Sequence, residues 1–144
     1  MVGNRRVGWV GGVALAALVT GCAGDGVDVP EWEEPAAYRF VIDGSCGETP
    51  LSGTFEIAVE GGEVVEVTDL GGEHEAPYLS SQTGLTIAEL REIVDEARDE
   101  GADVLEVEYA EDDPGRPVDI VIDYDENALD DEMCYRISDY VPEV

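Results

Sequence analysis

The chain has 144 residues, with 35 Asp or Glu against seven Arg and no Lys, for a formal charge of -28. That sign excludes nucleic-acid binding, which rests on Lys and Arg displacing counterions from phosphate, and excludes an electrostatic hold on an anionic bilayer. The hydrophobic fraction of 44% is too high for an acidic disordered chain, so one folded domain is expected.

Residues 1–21 have the form of an export signal. Arg5 and Arg6 make a positive start, and Val7 to Val19 is an uncharged apolar run. The run is too short for a hydrocarbon core of ~30 Å, which takes about 20 residues to span. It ends in Val19-Thr20-Gly21-Cys22. This tetrapeptide resembles the box of bacterial lipoproteins, in which the cysteine takes a diacylglyceryl group and becomes the mature N-terminus. Cys22 is therefore the expected lipidation site, and the expected location is the extracytoplasmic face of the cell membrane. Two acyl chains hold stably where one is marginal, at ~0.8 kcal/mol for each buried CH₂. Without the signal, five Arg face 35 acidic residues, a net charge of -30 over 123 residues. Lipid rather than charge must then hold the protein at the membrane.

From Cys22 to Ala36 the chain mixes Gly, Pro and acidic residues without a period. Residues 22–36 are expected as an acidic flexible tether, followed by a single domain at 37–144. Trp32 stands in that tether among Glu31, Glu33 and Glu34. With Cys22 given to lipid, Cys46 and Cys134 remain. An even pair in an oxidising compartment is expected as a disulfide, and no C-x-x-C spacing supports a reactive pair instead.

Alternation of period two begins at Tyr38 and predicts half-buried strands. Tyr38, Phe40 and Ile42 share one face, as do Phe55, Ile57 and Val59. Gly61-Gly62 predicts a two-residue hairpin turn, with Val65 and Val67 on the return strand. Thr86-Ile87-Ala88-Glu89 has the form of a capping box. Ile87, Leu90, Ile93, Val94 and Ala97 then recur at helical spacing until Gly101 ends the helix. Leu105, Val107 and Tyr109 predict a further strand. Asp113-Pro114-Gly115 turns it into another with Ile120, Ile122 and Tyr124, and a short last strand is expected within 130–140. The opposite faces carry Glu56, Glu60, Glu66, Glu106, Glu108, Asp119 and Asp123. The predicted class is α+β: an antiparallel sheet of four to six strands, order β-β-β-α-β-β. One helix packs on one face to make a two-layer sandwich.

Several of these segments together resemble a known family. Tyr38-Arg39-Phe40-Val41-Ile42 leads to Cys46, and Thr86-Ile87-x-x-Leu90 opens the helix. Val107-x-Tyr109, Gly115-x-Pro117, Ile122-Asp123-Tyr124-Asp125 and Asp130-Asp131-Glu132 follow in order. The chain from about 37 to 140 looks like domain of unknown function family 6174, found in bacterial and mostly actinobacterial lipoproteins. The resemblance implies a location and a fold; the family carries no assigned activity.

No catalytic constellation is expected. Glu73-His74-Glu75 holds the sole His, and adjacent side chains cannot all aim at one ion. Ser80-Ser81 lacks the Gly-x-Ser-x-Gly setting and a base, and no phosphate or dinucleotide loop is present. No cofactor is expected, and the protein is not expected to be an enzyme. The weak metal candidates are Asp123, Asp125, Asn127, Asp130 and Asp131. They open like a calcium loop, but Ala128 falls at position six and Cys134 at position twelve, where Gly and Glu belong. The acidic charge has two readings. It keeps a secreted protein soluble or suits a saline habitat, or it makes the strand faces around Glu56, Glu66, Glu106 and Glu108 a docking patch for a basic protein or peptide. The expected function is a membrane-anchored binding or envelope-associated module, with divalent-cation binding after residue 122 as the alternative.

Overall fold

The computed structural model describes residues 29–47, 51–72, 84–129 and 131–143. Cys22, the signal, His74, Ser80, Ser81 and Asp130 lie outside them. The period-two segments form strands β1 (Ala37–Cys46), β2 (Gly53–Glu60), β3 (Glu63–Asp69), β4 (Val104–Tyr109), β5 (Pro117–Asp123) and β6 (Glu132–Glu143), with helix α1 (Ile87–Glu100) between β3 and β4. All pairings are antiparallel, and the spatial order is β3-β2-β1-β6-β5-β4. Two three-strand meanders therefore meet along the β1–β6 seam, and α1 carries the chain from one edge of the sheet to the other.

One face of the sheet is apolar because the pleat turns alternate residues to the same side. In register, Tyr38 opposes Val59, Phe40 opposes Ile57 and Ile42 opposes Phe55. Ile120 opposes Tyr135 on the other meander. All eight are buried, together with Ile87, Leu90, Val94 and Ala97 of α1. The helix starts as the sequence predicts. Glu89 N–H donates to Thr86 Oγ1 at 3.0 Å, and Thr86 N–H donates to Glu89 Oε2 at 2.7 Å. It ends at Gly101, whose φ of 75° is the left-handed conformation that glycine tolerates best. Gly61 and Gly62, at φ 60° and 79°, make the tight turn between β2 and β3.

The last strand differs from expectation. Instead of a short addition within 130–140, β6 runs through twelve residues and lies at the centre of the sheet, between β1 and β5. A bulge hides its period. Arg39 pairs with Val141 while Val41 pairs with Ser138, so one extra residue is absorbed near Asp139, at φ 50°. Asp is among the residues that accept this conformation most readily. Beyond the bulge, the Tyr140 ring sits 5.6 Å from that of Tyr38, and Glu143 comes beside Arg39. Cys46 and Cys134 are paired across β1 and β6 and joined as a disulfide, Cα to Cα 5.2 Å.

A second difference concerns the tether. Residues 29–36 were expected as its final stretch, but they are seated on the domain. Arg91 of α1 donates to the carbonyls of Pro30, at 2.5 Å, and of Gly115. Its guanidinium lies 5.8 Å from the Trp32 ring centre. Trp32 Nε1 donates to Asp113 Oδ2 at 2.9 Å, and its ring stands edge-on to Tyr38. The Tyr38 hydroxyl donates to Glu34 Oε1 at 2.6 Å and accepts from the Ile87 N–H at 3.0 Å, which satisfies an otherwise orphan donor of the first helical turn. Burial, then the bond to Glu34, pushes the Tyr38 phenol well above the ordinary tyrosine range. Ala36 C=O accepts from Gly61 N–H at 2.7 Å. The segment thus crosses one end of the sandwich from the β4–β5 turn to the β2–β3 turn. A Cβ on Gly115 would stand 2.5 Å from both Glu31 O and Trp32 Cβ, so the crossing requires glycine there.

Candidate functional site

The face of the sheet away from α1 is open, and its chemistry follows from which charges find partners. Beyond residue 21 the chain has only five arginines, and each is engaged. Arg39 sits among Glu143 at 3.1 Å and Glu56 and Glu66 at 3.6 Å. Arg136 reaches Asp119 at 3.2 Å. Arg98 pairs with Asp95 and Asp99 on the helix surface. Arg116 is buried, pairs with Asp112 at 2.9 Å and lies 4.3 Å from the Tyr140 ring centre. Arg91 is spent on the docked segment. The pairs that remain in contact with solvent add little to stability, so their main consequence is that no free cation is left among the described residues.

The expected docking patch consequently divides in two. Glu56 and Glu66, on the β2–β3 flank, are held by Arg39. Glu106 and Glu108, on edge strand β4, are exposed and meet no arginine among the described residues. Register adds to their repulsion. Glu108 faces Asp119 across β4–β5, and Asp123 faces Glu132 across β5–β6. Like charges directly opposite one another destabilise a sheet. Arg136 relieves Asp119 alone, which leaves Glu106, Glu108, Asp123 and Glu132 as a band of charge along the β4 side that no cation among the described residues compensates. Among the described residues strand β4 also has one unpaired edge, a row of backbone groups that a partner strand could meet.

The metal candidates close a turn among themselves. Asp123 Oδ1 accepts from the Asp125 N–H at 3.1 Å. Asp125 Oδ1 accepts from both the N–H and the Nδ2 of Asn127, at 3.0 and 3.1 Å, and these bonds hold its carboxyl below the usual carboxylate range. Glu126 N–H donates to Asp103 Oδ2, which ties the turn to the connection between α1 and β4. Asp131 is half-buried at the start of β6. No group of three or more His, Cys, Asp or Glu side chains among the described residues is placed to share a metal ion. The arrangement is a turn built on Asx hydrogen bonds, and the opening D-x-D-x-N spacing is accounted for by that.

Sequence reasoning missed Arg91 and Trp32. In the sequence the tryptophan stands among Glu31, Glu33 and Glu34 with no partner indicated, and Arg91 has no role assigned within the helix. The one available signal was Gly115, which leaves room beside the β4–β5 turn for another segment.

These features define a two-layer α+β domain with an open, acidic antiparallel sheet face. The chain belongs to the family of unknown function DUF6174, whose model matches residues 30–142. The match takes in nearly all of the docked segment as well as the sheet. No match was found among curated proteins or among solved structures.

Proposed function

We propose that the protein is a lipid-anchored extracytoplasmic binding module, attached through Cys22, whose β4–β5 flank docks a basic protein or peptide. It acts by holding a partner, not by turning over a substrate. The observation that carries this reading is the commitment of all five arginines elsewhere, which leaves Glu106, Glu108, Asp123 and Glu132 uncompensated on an open face beside an unpaired strand edge. The lipoprotein part rests on the Val19-Thr20-Gly21-Cys22 box. A basic partner would supply the missing cations, and lysines or arginines on alternate residues of an extended peptide would match the two-residue repeat of Glu106 and Glu108.

The test compares charge reversals on two surfaces. Glu106→Lys with Glu108→Lys alters the flank, and Glu92→Lys with Glu96→Lys makes the same charge change on the exposed side of α1. Binding of a lysine-rich peptide is measured by calorimetry at physiological salt. The account expects the flank pair to abolish binding and the helix pair to leave most of it. Equal losses from the two pairs would reduce the interaction to unspecific charge and contradict the reading.

A further inference from the structure

The two ends of the sandwich are chemically and sterically unlike. At one end lie the docked residues 29–36, the Gly61-Gly62 turn, the Asp113–Gly115 turn and the start of α1, all joined by the bonds of Arg91, Trp32 and Tyr38. At the other lie the Cys46–Cys134 disulfide, the helix stop at Gly101 and the Asp123–Asn127 turn. The ten residues of β1 run between them, a distance of about 33 Å at ~3.3 Å per residue.

We infer that the docked segment fixes which end of the domain faces the membrane. The inference rests on the anchoring at Cys22 proposed above. Val29 comes only seven positions after Cys22, and a fully extended chain of that length reaches about 25 Å. Val29 is itself packed against the core, and Pro30 is held by Arg91. The described part of the chain therefore begins at the strapped end, and the anchor keeps that end within this reach of the bilayer. Glu31, Glu33, Glu34, Asp112 and Asp113 make the strapped end acidic as well, so the short connection to the anchor, and not charge, sets the domain on that end. The disulfide end and the Asp123–Asn127 turn point outward, and the β4–β5 flank is reached from the side. Releasing the strap would add eight residues to the stem, roughly doubling its reach, and would let the domain pivot.

The experiment uses the full chain, expressed, recovered from membranes and placed in vesicles that carry a lipid-borne fluorescence acceptor. Donor dyes are attached through Glu63→Cys, at the strapped end, or Leu129→Cys, which is 90% exposed at the far end. Mass spectrometry of the mature protein reads the lipid on Cys22 separately. With lipid present, the Glu63 site should transfer more strongly than the Leu129 site. Adding Arg91→Ala and Trp32→Ala should shrink the difference while circular dichroism shows the fold retained. Lipid present with equal or reversed transfer in the unaltered strap overturns the orientation and leaves the anchor standing. Absence of lipid on Cys22 overturns the anchor, and the orientation with it.

Discussion

Arg91 shows how one side chain can change the status of a whole segment. Its guanidinium donates to two backbone carbonyls from different parts of the chain and faces the Trp32 ring. Hydrogen bonds from a charged donor contribute more than neutral ones, and a carbonyl left without its donor in a half-buried place carries a desolvation cost. Arg91→Ala should therefore destabilise the domain by about 1–3 kcal/mol, measured by urea unfolding, and should shift Trp32 emission toward that of a solvated indole. A change within error in both would mean that the segment is held by Trp32 and Tyr38 alone. The half-buried Arg98, by contrast, pairs only with neighbours on its own helix, and its loss should matter little.

At the level of elements, much was legible because one physical rule dominated each segment. Tyr38, Phe40 and Ile42 alternate without interruption, and Ile87, Leu90, Val94 and Ala97 repeat at helical spacing, so burial and periodicity agree. The capping box and the turn at Gly61-Gly62 depend on local geometry alone and formed where the sequence placed them. β6 was hard to read because the bulge near Asp139 breaks the alternation after Ile137, and only pairing with β1 shows that the strand continues to Glu143. The docked segment was illegible for a related reason: its partners lie 61 and 81 positions away. Of the site, the acidic faces were visible in the sequence, but their division into paired and unpaired halves depends on where Arg39 and Arg136 fall in register.

The seam between the meanders carries the element-scale prediction. The disulfide joins residues 88 apart across the only pairing that unites the two halves of the sheet. Closing a loop of that size is worth up to ~4–5 kcal/mol in the chain-entropy model. Replacing Cys46 and Cys134 together by Ser should lower stability by about 2–5 kcal/mol in denaturant unfolding, with the sheet signal of circular dichroism kept under native conditions. An unchanged midpoint would show that the β1–β6 ladder suffices alone.

For the whole molecule, a net charge of -30 over residues 22–144 acts in two opposite ways. Self-repulsion destabilises the compact state, while the same field would draw the proposed cationic partner and falls off over a Debye length of ~8 Å at physiological salt. Stability and binding should therefore respond to salt with opposite signs. The most direct measurement is thermal unfolding of the mature protein across a salt series, with and without the lysine-rich peptide. Without peptide, the melting temperature should rise as salt screens the repulsion. With peptide, it should be raised most at low salt, and the peptide's increment should vanish as salt increases or when Glu106 and Glu108 are reversed. An increment that is absent at low salt, or that survives both salt and reversal of the β4 flank, would contradict the account.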